Sequence, residues 1–179
     1  MKDELILSGS GGVSLRPWRL SDAPALGELL SNKKLQDNLR DGLPYPYTAE
    51  DGESYISSML KGDKNKLFAF AIVLGDKLAG SIGAFRQSNI HSRTAELGYY
   101  VGESFWGRGV GTTAVKLLCR HVFETTDILR IYAEPFATNA ASCRVLEKSG
   151  FRFEGTLRQN AVKNGNILDM HMYSLLKKL

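Results

Sequence analysis

Residues 95–122, AELGYYVGESFWGRGVGTTAVKLLCRHV, decide the fold that the rest of the chain has to complete. They indicate a buried strand, a short loop, three glycines alternating with Arg108 and Val110, and an amphipathic helix. A glycine-rich turn at a helix N-terminus offers unpaired N–H groups and the positive end of the helix dipole to an anion. Arg108 adds a guanidinium that is always protonated. The stretch therefore predicts a site for a phosphorylated ligand.

Composition limits the classes of protein to consider. A chain of 179 residues with 43% apolar and 23% charged residues suits one globular domain, which we expect to span residues 1–179. The net charge is +4, and the lysines and arginines are scattered along the chain. This pattern suits an anionic small ligand, and it lacks the basic clusters of a nucleic-acid-binding protein. We expect no nucleic-acid partner.

The cysteines, the histidines and the apolar runs bear on redox state, metal binding and cellular location. Cys119 and Cys143 belong to no metal-binding or CxxC pattern, and they are typical of reduced core residues in a cytosolic protein. His91, His121 and His171 have no metal-ligand spacing. The N-terminal segment MKDELILSGSGG lacks the features of a signal peptide, and no apolar run is long enough to span a bilayer. We expect a cytoplasmic protein with no bound metal and no membrane contact.

Periodicity and turn residues predict a mixed α/β architecture. Strands are predicted at residues 5–7, 13–18, 66–74, 78–86, 94–101, 128–133, 151–155 and 167–176. Helices are predicted after caps at Ser21, Thr48 and Asn139 and after the glycine-rich turn. This order favours one mixed sheet with helices on both faces.

Three interpretations compete for the turn GRGVGT at residues 107–112. A P-loop needs GxxxxGK[ST], and the lysine is missing. A dinucleotide-binding oxidoreductase needs GxGxxG directly after a strand, whereas this turn reads GxGxG and follows five further residues. That alternative stays open because Glu134 could imitate the acid that binds ribose. A purely structural role for the glycines leaves Arg108 unexplained.

Motifs on both sides of this turn resemble the GNAT superfamily of acetyl-CoA-dependent N-acetyltransferases. RGVGTT at residues 108–113 resembles its phosphate loop [Q/R]-x-x-G-x-[G/A], with Thr113 departing from the final small residue. NAAS at residues 139–142 and EKSGF at residues 147–151 resemble N-x-x-S…E-K-x-G-F. Together with LRPWRLSDA at residues 15–23, they are similar to the subgroup of RimJ/RimL type.

The resemblance implies a fold and a cofactor site. It implies a single GNAT-like domain with a mostly antiparallel mixed sheet, whose central strands splay so that pantetheine fills the gap. The implied residues for acetyl-CoA are the backbone of Tyr100 and Val101, the amides of Arg108, Gly109, Val110, Gly111 and Thr112, and the side chains of Asn139 and Ser142. The glycines at positions 109 and 111 let the main chain approach the phosphates closely. Asn139 also suits a helix N-cap, which alone could explain it.

Catalytic roles follow from the same resemblance. Ser142 is the implied general acid for the departing thiolate, because the tyrosine that many relatives use four positions later is Leu146 here. Glu96, in AEL, is the leading general base, and strand alternation puts it on one face with Gly98 and Tyr100. A structural carboxylate and direct attack by an amine that loses its proton to water are the alternatives. The later base of some relatives corresponds to Ala161 and is missing.

Several side chains are candidates for the amine side of the site. Tyr45 and Tyr47, in the loop LPYPYT, are predicted to form the acceptor wall or to pack in the core. His91 and His171 could reach the acceptor site, and His171 shares a strand face with Asp169 and Tyr173. His121 falls beside the apolar stripe of its helix and suits the core.

The sequence therefore predicts an N-acetyltransferase that passes the acetyl group of acetyl-CoA directly to a primary amine. The resemblance favours a protein N-terminal α-amine as acceptor. A CoA-binding sensor without catalysis is the alternative from another class. A homodimer through the terminal strands is a further expectation.

Overall fold

Residues 5–178 are described by a computed structural model of the chain. Residues 1–4 and residue 179 lie outside the described residues. Residues 1–4 belong to the N-terminal segment in which we expect no signal peptide. The strands are β1 (Leu7–Ser8), β2 (Val13–Arg16), β3 (Leu67–Leu74), β4 (Lys77–Arg86), β5 (Thr94–Val101), β6 (Arg130–Ala133), β7 (Arg152–Lys163) and β8 (Asn166–Leu176). The helices are α1 (Ala23–Leu30), α2 (Lys33–Gln36), α3 (Ala49–Lys61), α4 (Val110–Thr125) and α5 (Ala140–Lys148). No helix within residues 5–178 has the length and apolarity needed to cross a membrane.

The strands form one sheet in the order β1-β2-β3-β4-β5-β6-β8-β7. Neighbouring strands run antiparallel, with the exception of β5 and β6, which run parallel. A parallel pair needs a crossover connection, and α4 supplies it. The predicted mixed and mostly antiparallel sheet is confirmed.

The parallel pair separates soon after it forms. Residues 94–96 of β5 pair with residues 130–132 of β6, and the pairing recorded for the described strands ends there. Residues 97–101 continue along β4, while Ala133 of β6 remains paired with β8. A wedge-shaped gap therefore opens between β5 and β6, as the predicted splay requires.

Helices cover both faces of the sheet, and strand alternation divides the core accordingly. Ile72 points into a core shared with Leu118 of α4 and Leu146 of α5. Its neighbour Ala71 points into a second core, together with Leu26 of α1. The same alternation along β5 sends Leu97, Tyr99 and Val101 toward the α4 side.

The first helix begins differently from the prediction. Ser21 does not cap it, because residues 20–22 form a 3₁₀ turn and α1 starts at Ala23. The Asp22 carboxylate accepts hydrogen bonds from Arg16 Nη1 (2.8 Å) and Nη2 (2.7 Å) and from the Arg19 amide (2.9 Å). A bidentate, charge-assisted pair outweighs the weaker capping contribution of a serine hydroxyl.

The seventh strand is much longer than predicted. It runs to Lys163 rather than to Gly155, and it forms a hairpin with β8 through the turn Asn164-Gly165. Its alternation is hidden by polar exposed residues and by register shifts, one of them at Gln159 with φ of 54°. The Asn-Gly pair, with φ of 51° and 77°, is the signal that could have revealed the hairpin.

Candidate active site

The N-terminus of α4 is open, as an anion site requires. Gly109 caps the helix with φ of 76°, and no side chain bonds to the first helical amides. The first bond within the helix is donated by the Thr113 amide to the Gly109 carbonyl (3.0 Å), so the amides of residues 110–112 precede it. Gly109 and Arg108 are exposed to solvent. These donors and the guanidinium suit a pyrophosphate group.

Gly109 and Gly111, the two glycines next to the helix start, are glycine for different structural reasons. Gly109 adopts the left-handed conformation that an L side chain rarely adopts, and nothing lies within 4 Å of a Cβ built on it. Gly111 has ordinary helical geometry and is buried. A Cβ on it would lie 3.6 Å from Val145 and 3.7 Å from Val101, which is normal packing. Of these two glycines, Gly109 alone is required by backbone conformation.

The open edge of β5 presents the backbone of Tyr99 and Val101 rather than that of Tyr100. The Tyr100 carbonyl oxygen lies 2.1 Å from where a Cβ on Gly80 would be, so it faces β4. Alternate residues of a strand direct their N–H and C=O groups to opposite edges, which turns those of Tyr99 and Val101 toward the gap. The Val101 carbonyl already accepts a hydrogen bond from Trp106 Nε1 (2.6 Å). The backbone of Tyr100 therefore faces away from the gap, against the expectation that it binds pantetheine, whereas the backbone of Tyr99 faces the gap.

Ser142 and Asn139 lie at the start of α5 on the α4 side of the gap. Asn139 Oδ1 accepts a hydrogen bond from the Ser142 amide (3.1 Å), which confirms the predicted N-cap. The Ser142 hydroxyl lies 2.9 Å from the Tyr99 hydroxyl, which also donates to the Ser142 carbonyl (3.2 Å). Burial, partly offset by the bond to Ser142, raises the pKa of Tyr99 to about 12. The site thus holds two neutral hydroxyls in contact.

Tyr99 is a site residue that the sequence analysis missed. The signal for it was the alternation of β5, which puts Tyr99 on the face opposite Glu96 and on the same side as the helix bearing Ser142. Leu146, where many relatives carry a tyrosine, is fully buried in the core.

A group of charged side chains occupies the other face of the same gap. Glu96 forms an ion pair with Arg40, from the loop after α2. Tyr132 is the register partner of Glu96 on β6, and Glu134 follows two residues later. Burial and the negative charge of Glu96 raise the pKa of Glu134, against the opposing effect of Arg40. Glu134 was considered only as a ribose-binding acid, so its place beside Glu96 is a finding of the structure.

Glu134 lines a groove on this face of the sheet. A cavity of about 320 Å³ is lined by residues that include Arg40, Glu134, Phe136 and Met170. The β7–β8 hairpin is joined to the loop after α2 beside this groove: Lys163 Nζ pairs with Asp41 (2.6 Å), and Asn164 donates to Asp37 (3.1 Å). Ala161, at the position of the missing base, also lines this groove.

The two tyrosines of the loop after α2 have different environments. Tyr47 is only 5% exposed and packs in the core beneath α1, where its amide bonds to Ser31 Oγ (2.9 Å). Its predicted place in the acceptor wall is therefore wrong, and the packing alternative holds. Tyr45 is 57% exposed, with the Lys33 ammonium 5.2 Å from its ring centre. Tyr45 remains available to an acceptor.

The histidines and cysteines bring no further chemistry to the gap. His121 packs against Phe70 on the α4 side, and burial lowers its pKa. His171 contacts Thr156 Oγ1 through Nδ1 (3.2 Å) in the β7–β8 hairpin. Burial raises the pKa of Cys119 to about 12 and also raises that of Cys143. A buried neutral thiol is a poor nucleophile, which disfavours a covalent acetyl-enzyme.

Comparison with known proteins identifies the class of protein that this fold and gap define. A family model described as the acetyltransferase (GNAT) domain matches residues 13–152. An uncharacterized N-acetyltransferase of Bacillus licheniformis is 29% identical over 171 residues, covering 93% of either chain. The chain therefore belongs to the GNAT family of N-acetyltransferases, and it is not a dinucleotide-binding oxidoreductase.

Two solved structures give the relation within that family. A RimL ribosomal alpha-N-protein acetyltransferase in complex with coenzyme A has a TM-score of 0.86 at 26% identity, covering 96% of this chain and 98% of its own. Mycobacterium smegmatis RimJ in complex with CoA-disulfide has a TM-score of 0.86 at 25% identity, covering 97% of this chain and 86% of its own. The predicted similarity to the RimJ/RimL subgroup is confirmed.

Proposed function

We propose that this chain transfers the acetyl group of acetyl-CoA directly to a primary amine in a ternary complex. The observation that carries the proposal is the gap between β5 and β6. At one end of it the N-terminus of α4 is open, Ser142 lies on one side, and the carboxylates of Glu96 and Glu134 lie on the other. Donor and acceptor would therefore approach the gap from opposite faces of the sheet.

The donor half of the proposal assigns acetyl-CoA to residues of β5, α4 and α5. The pyrophosphate binds the amides of residues 109–112 and the Arg108 guanidinium, and pantetheine lies along the open edge of β5. Asn139 contacts pantetheine in addition to capping α5. The solved relatives that hold coenzyme A or its disulfide share this fold over nearly the whole chain, which supports the assignment.

The chemical step uses groups on both faces. The neutral amine attacks the thioester carbonyl, whose oxygen is polarised by the Val101 N–H. The carbon–sulfur bond then breaks, and Ser142 gives a proton to the departing thiolate. Glu96, held by its ion pair with Arg40, attracts and orients the acceptor ammonium on the other face. Neither cysteine forms an intermediate.

A protein N-terminal α-amine is the acceptor class that we propose. The similarity to an alpha-N-protein acetyltransferase supports it, and so does a second cavity, bordered by Tyr45 and Arg40, that shares Arg40 with the groove lined by Glu134. A free polyamine is the competing acceptor, and a CoA-binding protein without transfer activity is the competing function.

Calorimetry with acetyl-CoA tests the donor half. We expect wild type to bind and Arg108→Ala to bind about tenfold more weakly, since a charge-assisted contact is worth roughly 1.5 kcal/mol. Arg120→Ala, an exposed arginine on the same helix, is the matched control and should bind as wild type does. No binding by wild type, or equal binding by the Arg108 variant, contradicts the assignment.

Turnover tests the acceptor half. Release of the CoA thiol is followed with seryl and alanyl peptides and with spermidine. Transfer to the peptides supports the proposed acceptor, and transfer to spermidine alone supports a polyamine enzyme. Binding of acetyl-CoA without turnover on any amine favours the non-catalytic alternative.

A further inference from the structure

Glu134 occupies a position on the acceptor face that Glu96 does not reach. Glu96 and Tyr132 are the last register partners of β5 and β6. Two residues further along each strand come Gly98 and Glu134, on the same face as that pair, after the strands have parted. Gly98 has no side chain to fill the gap. Glu134 is thus the first carboxylate beside the opened part of the wedge.

The two carboxylates differ in their partners. Arg40 forms an ion pair with Glu96, which gives that carboxylate a fixed partner. Within residues 5–178, no hydrogen bond or ion pair of the Glu134 side chain is present, although Glu134 is partly buried and lines the acceptor groove. A carboxylate without a fixed partner in a recess remains free to take a proton.

We propose that Glu134 is the catalytic base that takes the proton from the acceptor ammonium, while Glu96, paired with Arg40, orients it. This inference rests on the proposed acetyl transfer. The ammonium N–H bond breaks, its electron pair stays on nitrogen as the nucleophile, and the Glu134 carboxylate becomes a carboxylic acid. The carbon–nitrogen bond forms, the carbon–sulfur bond breaks, and its electron pair leaves with sulfur.

The protons balance between the two faces. The nitrogen loses two protons, and one of them passes through Glu134 to solvent. The second offsets the proton that Ser142 gives to sulfur, because Ser142 is reprotonated when the amide forms. One free proton is therefore released for each acetyl group transferred.

The charges around Glu134 favour this role. Its own burial and the negative charge of Glu96 shift its pKa upward, toward the range in which a carboxylate is an efficient base near neutral pH. The other charged or titratable groups that face the groove are Arg40, Asp41 and Lys163, together with Tyr132 on the same strand. Arg40, the ion-pair partner of Glu96, opposes the shift.

The test compares the pH–rate profiles of wild type and Glu134→Gln with the peptide or polyamine that wild type acetylates. At pH 7 we expect kcat to fall at least 100-fold in the variant, with acetyl-CoA affinity unchanged in calorimetry. The difference should shrink toward unity above the pKa of the acceptor amine, about 8 for an α-amine, because the neutral nucleophile then needs no base. Glu134→Asp should recover part of the rate.

Controls separate this role from a structural one. Glu124→Gln, an exposed carboxylate on the opposite face of the sheet, should leave the profile unchanged. In NMR titrations of the free protein, Glu96→Gln should lower the pKa of Glu134. The inference is overturned if Glu134→Gln keeps the wild-type rate or loses rate equally at every pH, or if Glu96→Gln shows the pH-dependent loss instead. Absence of turnover by wild type overturns the proposed function itself.

Discussion

The contact between the Tyr99 and Ser142 hydroxyls predicts how two substitutions should combine. Ser142→Ala removes the proposed proton donor, and general acid catalysis is typically worth 10² to 10⁴ in rate. We therefore expect kcat to fall at least 100-fold, while acetyl-CoA affinity changes less than threefold. Tyr99 acts on the reaction only through the orientation of Ser142, so its loss should cost much less.

The magnitude for Tyr99→Phe follows from its contact with the Ser142 hydroxyl, the one of its two contacts with Ser142 that bears on the proton donor. The two hydroxyl oxygens are 2.9 Å apart in a partly buried environment. A neutral hydrogen bond there contributes about 1 kcal/mol, which corresponds to about fivefold in rate. In the double variant, Tyr99→Phe should add almost nothing, since no hydroxyl is left for it to orient.

Steady-state release of the CoA thiol, with calorimetry for acetyl-CoA binding, measures all four proteins of this cycle. Thermal unfolding of each variant checks that the fold is retained. An unchanged kcat for Ser142→Ala refutes the general-acid assignment. A fivefold effect of Tyr99→Phe that persists in the Ser142→Ala background refutes the idea that Tyr99 works through Ser142.

Two further predictions concern the anion turn and the first helix. Gly109→Ala should weaken acetyl-CoA binding in calorimetry, because an L residue at φ of 76° costs roughly 1 kcal/mol and the turn relaxes. Gly165→Ala introduces the same strain at φ of 77° in the β7–β8 turn, so it is the control and should bind acetyl-CoA normally. Asp22→Asn should lower the free energy of unfolding at pH 7 by about 3 kcal/mol in denaturant titrations, because Arg16 loses its charged partner in a buried pair. Burial is the largest effect on the Asp22 pKa and acts upward, but the bonds from Arg16 and Arg19 outweigh it, so the folded pKa lies below the unfolded value near 3.8. That stabilisation is present above pH 4 and disappears as the pH falls through the folded pKa. Wild type should therefore lose more stability than Asp22→Asn on acidification. Equal losses would contradict the assignment.

Features set by neighbouring residues could be predicted from the sequence. The Thr48–Asp51 capping box, the Asn139 cap and the glycine turn before α4 depend on a few adjacent residues, and the structure has all three. The hairpin at Gly75-Asp76 is equally local. The splay of β5 from β6 has no local signal, and only the resemblance to a known family predicted it.

Features made by distant contacts could not be predicted in this way. Arg40 reaches Glu96 across 56 residues, and nothing near either residue specifies the other. Tyr45 and Tyr47 are indistinguishable in the sequence LPYPYT, and the Ser31 contact that buries Tyr47 comes from 16 residues away. The acceptor side of the site is built of such contacts, whereas the donor side is largely contained in one continuous segment.

The bridge from the β7–β8 turn to the loop after α2 has a consequence for motion. It consists of two contacts between residues that are 122 and 127 positions apart in the chain. One is the ion pair of Lys163 with the largely exposed carboxylate of Asp41, and the other is the hydrogen bond from the Asn164 side chain to Asp37. Exposed ion pairs contribute little, at most about 1 kcal/mol, so this region belongs to the low-stability end of the molecule. We expect local unfolding there to open the groove lined by Glu134 while the strands and helices around the gap stay folded. In hydrogen exchange, the amides of this turn should therefore exchange well before those of β5 and α4.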